Sequence, residues 1–376
     1  MQLKLFFPAL LFPLFITAQN ADSIVFHMGM RLDSSFANYD SSYFISVFNV
    51  DEFTNYFYLV DTSEQELSGF NAGFKSALGY NLYGAIFRAT RAGASYDFIN
   101  YYQDYNEAYH LLFRLYLADA GLNYHDFVLY PDETGTLRIT DVFIYATGEY
   151  MSETLYRIYY PAITRILNED YFNKEKKTLY DSYFKLGQIN KYLEEGNRAK
   201  ARLLFRTIPK EIRQDKIFIL MEIKMLEPED EKAYAKLLEK RASLFPDDPA
   251  IYLWNVDRYI MRGEFSNALA MIDTLESMTD DDFLNFIRGN IFFQMNDYEK
   301  AEASYQYMIE NYPGFEDCYH SLLEMKVLAE KFTEATQLLD LLIEKFGYIR
   351  ESLIEVVDTH YEDFSKSVEY QKWRSK

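Results

Sequence analysis

Residues 289–313 read GNIFFQMNDYEKAEASYQYMIENYP, and the placing of small and aromatic side chains in this stretch decides how the carboxy-terminal half folds. Asn296-Asp297-Tyr298 forms a turn between two helical patterns, and Ala301 stands at the start of the second. Ala268 and Ala335 lie 33 and 34 residues from Ala301, each after a short Gly-Glu-Phe-like turn. A fixed period of this length signals a stack of helical hairpins. Two antiparallel helices approach closely only where a side chain is small, so alanine here lets an aromatic of the first helix pack on the backbone of the second. One hairpin cannot bury its apolar stripe alone, and stacking supplies the shared core. Replacing Ala301 by leucine is therefore expected to cost about 1–3 kcal/mol through overpacking, read from urea unfolding.

Gly289, Phe292, Ala301, Tyr305 and Pro313 fall at the intervals of the tetratricopeptide repeat, which this stretch resembles. Tyr252, Tyr259, Gly263, Phe265, Ala268, Ile272 and Leu275 hold the matching places in the copy before it. Tyr319, Phe332, Ala335, Leu339 and Leu342 hold them in the copy after. The pattern departs from the family at the first helices, where Asn285 replaces a large aromatic and Val256 and Leu323 replace a small residue. Weaker copies extend backwards through Gly196, Ala201, Phe205 and Ile208, and through Ala235, Ala242 and Pro246, with Ala201, Ala235 and Ala268 spaced by 34 and 33.

The resemblance implies an all-α solenoid over residues 168–347 whose first helices line a concave surface. By that likeness Leu253, Asp257, Ile260, Phe283, Phe286, Asn290, Phe293, His320 and Glu324 face the groove, Phe283, Phe286 and Phe293 being equally suited to the core. The basic clamp that some family members use for peptide carboxylates is not reproduced, because Asn290 stands without lysine or arginine at the neighbouring groove places. That departure argues against acidic carboxy termini as ligands and for an apolar or basic segment of another protein. Residues 348–376, with a helix from Ser352 to Phe364 continuing toward Trp373, are expected to cap the last repeat, with Glu355, Asp358 and Glu362 facing water.

At the other end, Lys4 precedes an apolar run from Leu5 to Ile16, followed by Thr17, Ala18, Gln19 and Asn20. A basic start, a short apolar core and a small exit residue describe a signal peptide over 1–18, cleaved after Ala18. The run is short for a transmembrane helix. No cysteine follows it, which argues against lipid attachment and against the glycan-binding lipoproteins that also carry tetratricopeptide helices. The expected destination is the periplasm or exterior of a Gram-negative bacterium. Cys318 is the single cysteine, so no internal disulfide forms and the residue reads as a small apolar core side chain.

Composition and charge narrow the partners. With 376 residues, 49% hydrophobic and 18% aromatic, the chain can bury a large core in two or three domains. The formal charge of −20 repels phosphate backbones and anionic lipid surfaces, which excludes nucleic acid as a ligand class and otherwise keeps a large helical surface soluble.

Residues 19–167 mix two periods and are expected to form an α+β domain. Ile24, Val25 and Met28 begin one helical stripe, and Leu67, Phe70, Phe74, Leu78, Leu82 and Ile86 make another at spacings of three and four. The period then becomes two: Leu111, Phe113, Leu115 and Leu117 alternate with His110, Leu112, Arg114 and Tyr116, as a half-buried strand requires. Strands over Tyr124–Tyr130 and Leu137–Tyr145 follow short turns, completing an antiparallel meander, with a helix over Ser152–Leu167 packed on one face. In element order this is similar to the cystatin-like or nuclear-transport-factor-like α+β cone, a superfamily with both ligand pockets and silent dimer modules.

The meander holds the one constellation of interest for catalysis. His110 and Arg114 share a face of the first strand, His125 lies on the second and Asp141 on the third, where a buried carboxylate near histidine suits acid–base chemistry. Zinc-helix, phosphate-loop, serine-elbow and paired-cysteine signatures are missing, and His27, His320 and His360 are isolated. No metal or other cofactor is expected. The sequence thus reads as an exported, non-catalytic scaffold that holds a protein or peptide partner in its repeat groove. The alternative is a small-ligand-binding or hydrolytic α+β domain to which the repeats recruit substrate, and a third role for that domain is homodimerisation.

Overall fold

The computed structural model describes residues 18–55, 65–118, 121–166, 174–227, 229–248 and 250–375. The expected signal peptide lies, up to residue 17, outside them. Among the described residues, helices α1 (Ala18–Ala37), α2 (Ser42–Val47), α3 (Val50–Asn55) and α4 (Gln65–Arg91) come first. Strands β1 (Ser95–Gln103), β2 (Tyr109–Leu117), β3 (Gly121–Pro131), β4 (Leu137–Ile144) and β5 (Glu149–Tyr150) then form one antiparallel sheet of order β1-β2-β3-β4-β5. The rest is helical: α5 (Met151–Ile166), α6 (Lys174–Glu194), α7 (Arg198–Arg206), α8 (Lys216–Lys224), α9 (Glu231–Leu244), α10 (Ile251–Met261), α11 (Phe265–Thr279), α12 (Leu284–Gln294), α13 (Tyr298–Asn311), α14 (Glu316–Leu328) and α15 (Phe332–Phe346), then α16 (Arg350–His360), α17 (Glu362–Ser365) and α18 (Val368–Arg374). The chain divides into two compact units, one of Met1–Leu115 with His125–Val142, the other of Tyr116–Tyr124 with Phe143–Lys376.

In the first unit α1 lies so close to β1 that a Cβ on Gly29 would sit 2.4 Å from the Phe98 ring. Phe36 on α1 meets Phe44, Phe87, Tyr96 and Phe113, a junction of four aromatic contacts. The sheet edges are closed from outside the sheet. Asp33 on α1 accepts the N–H of Phe98 on edge strand β1 at 2.8 Å. The part of β4 that short β5 leaves open pairs with the α2–α3 junction, where Asn49 donates to the Ile139 carbonyl at 2.8 Å. Both closures hide donors and acceptors that would otherwise template another chain. The expectation of a half-buried β2 needs correction, because His110, Leu112 and Arg114 are buried as fully as Leu111 and Phe113 on the opposite face. Alternation in the sequence reported strand geometry correctly and burial incorrectly.

Among the described residues the helical unit uses one turn four times. Gly196, Gly263, Asn296 and Glu330 adopt left-handed backbone conformations, at φ of 71°, 70°, 59° and 56°. The residue after each donates to the carbonyl five positions back: Asn197 to Tyr192, Glu264 to Tyr259, Asp297 to Phe292 and Lys331 to Lys326, at 2.7–2.9 Å. This closure satisfies carbonyls that the end of a helix leaves open. Five residues after each left-handed position comes an alanine with no exposed surface: Ala201, Ala268, Ala301 and Ala335. Turn and small contact thus arrive together in the pairs α6–α7, α10–α11, α12–α13 and α14–α15. Gly289 makes the crossing of α12 and α13 tighter still, since a Cβ there would lie 2.7 Å from the Tyr305 ring. The α8–α9 pair departs from the rule: Asp230 has φ of −90° and Ala235 is half-buried. The expected single carboxy-terminal helix is instead three, α16 to α18, which fold Phe364, Tyr370 and Trp373 into the same core as Leu339 and Leu342.

Where β4 turns into β5, a charged network joins the turn to the helices. Gly148 has φ of 71°, and a Cβ on it would fall 2.3 Å from Asp248 Oδ1. Asp248 accepts from Arg241 Nη2 at 2.8 Å and lies 3.2 Å from Lys216 Nζ, while Lys216 donates to the Gly148 carbonyl at 2.8 Å. Arg241 also reaches the Thr147 carbonyl at 3.3 Å and lies over the Trp254 ring. Beside them Glu149 binds Arg157, whose other nitrogen is 3.8 Å from Asp215. Three acids balance three bases around the buried Arg241–Asp248 pair, with Arg157, Asp215 and Lys216 partly exposed at its edge.

Candidate functional site

Seven of the nine residues expected in the repeat groove keep some exposure, and they come from α10, α12 and α14. Leu253 and Ile260 are half-buried, resting on the cluster of Val256, Ala268, Leu284 and Ile291. Asp257 reaches solvent between them and accepts from Tyr234 Oη at 2.5 Å. Asn290 accepts from Tyr305 Oη at 2.8 Å, so its amide oxygen is committed to the adjoining helix. Phe293 is half-buried beside Tyr298, with ring centroids 6.0 Å apart. His320 has Nε2 3.4 Å from Glu316 and 3.1 Å from the Tyr348 hydroxyl. Glu324 is exposed, and its charge adds to the desolvation that raises the Tyr361 hydroxyl. Among the described residues neither Asp257 nor Glu324 makes a salt bridge. Asp257 and Glu324 thus each bring an exposed carboxylate without a salt bridge to helices that also carry half-buried apolar side chains.

Phe283 and Phe286, the other two, are core side chains. They are 1% and 4% exposed and lie against Tyr116, with centroids 5.2 and 6.0 Å away, and against Phe315 at 4.8 Å each. Tyr116 belongs to the tip of the β2–β3 hairpin, and its hydroxyl donates to Asp317 at 3.1 Å. From the other side of the tip, Tyr124 donates to buried Asp281 at 2.8 Å, and Leu122 packs on two neighbouring helical clusters at once. The chain itself therefore fills the aromatic slot that these two phenylalanines line. A contact spanning 201 residues leaves no local trace in the sequence.

In the other unit the four residues of the meander have separate attachments. Arg114 binds Asp97 at 2.8 Å. His125 takes the Tyr96 hydroxyl at 3.1 Å, and burial pushes its imidazole down to about 4, leaving it neutral at neutral pH. The Asp141 carboxylate accepts the N–H of Val142 at 2.8 Å. His110 pairs with Asp126, which sequence reasoning had not singled out. Among the described residues no group of three His, Cys, Asp or Glu side chains is placed to hold a metal ion, and no helix is long and apolar enough to cross a membrane.

Against known proteins, no family model, curated protein or solved structure matches this chain.

Proposed function

We propose that the protein is an exported scaffold whose tetratricopeptide-like hairpins hold a segment of another protein, with no catalysis of its own. The observation that carries this reading is the fourfold recurrence of a left-handed turn followed five residues later by a fully buried alanine. Such hairpins are rigid because small contacts set their spacing, so a bound segment bears most of the ordering entropy. The recognising residues are Leu253, Asp257, Ile260, Asn290, Phe293, His320 and Glu324. Two carboxylates without cations, on a chain of charge −20, favour a segment that mixes basic and apolar side chains.

The test uses a panel of soluble peptides matched in hydropathy and differing in charge, with binding to the full chain read by fluorescence anisotropy. Basic–apolar peptides are expected to bind best. The double charge reversal Asp257→Lys with Glu324→Lys should weaken them by about tenfold or more while circular dichroism stays unchanged. Equal affinity of the folded double variant, or a preference for acidic peptides, would defeat the reading.

A further inference from the structure

His110 on β2 is buried with both ring nitrogens facing carboxylates. Nδ1 lies 2.9 Å from Asp126 on β3, and Nε2 lies 3.7 Å from Asp104 in the β1–β2 turn. A neutral imidazole carries no charge to hold Asp104. The imidazolium bonds Asp126 through Nδ1 and, with Nε2 making no hydrogen bond among the described residues, attracts Asp104 by charge alone. Tyr102 on β1 lies parallel to the ring, with centroids 4.5 Å apart at 12°, and donates its hydroxyl to the second oxygen of Asp126 at 2.5 Å. Asp104 also accepts the N–H groups of Asn106 and Ala108, each at 2.9 Å, and so shapes the turn in which Glu107 has φ of 66°.

We propose that His110 is a proton-held clasp: charged, it ties the β1–β2 turn through Asp104 to β3 through Asp126, and on losing its proton it releases the turn. The turn displays Tyr105 with 94% of its surface exposed, so the clasp controls how firmly an aromatic side chain is presented to solvent. The groups that face the ring are Tyr102 from β1, Asp104 from the turn and Asp126 from β3. From α1, Asp22 takes the hydroxyl of the neighbouring Tyr109 at 3.2 Å.

Desolvation alone would lower the imidazole pKa, but bonding to Asp126 and the charges of Asp126 and Asp104 outweigh it, and the net shift is upward. A histidine raised on folding contributes stability that is complete below its unfolded pKa and disappears as pH rises through the folded value. The clasp is therefore closed in mildly acidic solution and opens above the ordinary histidine range.

The experiment is a pH titration of the full chain with its five histidines carbon-labelled at Cε1, with amide exchange of Asn106, Glu107 and Ala108 followed in parallel and corrected for intrinsic rates. His110 is expected to titrate above the ordinary imidazole value, and turn protection to fall on the order of tenfold across the same interval. Asp104→Asn should move both transitions to lower pH, and His110→Gln should abolish the pH dependence of protection. The proposal is overturned if His110 titrates at or below the ordinary value, or if turn exchange is flat through its titration. Should His110→Gln fail to fold, Asp104→Asn decides: an unmoved transition rejects the clasp.

Discussion

Replacing Asp248 by alanine is expected to destabilise the helical unit by about 3–5 kcal/mol, because it strands a buried guanidinium. Arg241 has no exposed surface, and its Nε and Nη1 already lack hydrogen-bond partners among the described residues. Among the described residues Asp248 is its one carboxylate within salt-bridge distance, and that carboxylate also holds Lys216 and the N–H of Ala250, the latter at 3.0 Å. Removing it leaves Arg241 with the Thr147 carbonyl and the Trp254 ring, and Lys216 with the Gly148 carbonyl. The check is urea unfolding followed by tryptophan fluorescence, since both tryptophans, Trp254 and Trp373, belong to this unit. Asp248→Asn keeps acceptor geometry and should lose less. A loss under about 1 kcal/mol for Asp248→Ala would show that water or a rearranged Glu149 neutralises Arg241.

Tyr116→Ala should cost a comparable amount, about 3–5 kcal/mol, by emptying the centre of the aromatic slot lined by Phe283, Phe286 and Phe315. Tyr116→Phe removes only the bond to Asp317 and should cost about 0.5–1.5 kcal/mol. The contrast between the two separates packing from hydrogen bonding. A double-mutant cycle with Phe286→Ala should give a coupling of about 0.5–1.5 kcal/mol, the range for a single aromatic pair. Additive losses would mean that the hairpin tip and α12 do not sense each other.

Much of this architecture is written locally. The hairpins were legible because closeness of two helices demands a small side chain at a fixed place, and Ala201, Ala268, Ala301 and Ala335 meet that demand. Strands β2, β3 and β4 were legible from a period of two. Strand β1 was not: in Ser95–Gln103 both Phe98 and Tyr101 meet Phe26 on α1, three residues apart, so no clean alternation exists to be seen. Strand β5 is two residues long, too short for any period. The left-handed turns were half legible, since glycine occupies two of the four while Asn296 and Glu330 adopt the same backbone with a side chain attached. For the proposed face, Asp257 and Glu324 were singled out by the tetratricopeptide resemblance alone, and both are exposed. Burial of Phe283 and Phe286 depended on a hairpin more than a hundred residues upstream, which only the tertiary structure supplies.

An array of stacked units ordinarily behaves as a chain of nearest neighbours, free to melt anywhere along its length. The hairpin tip changes that here, because Leu122 rests on two adjoining clusters while Tyr116 and Tyr124 anchor to Asp317 and Asp281. A pin driven across several rungs makes the middle of the ladder the last part to come undone. Amide exchange is therefore expected to be fastest at α18 and near α6 and slowest in the helices that flank Asp281 and hold Asp317, which share one fate with a segment made long before them on the ribosome.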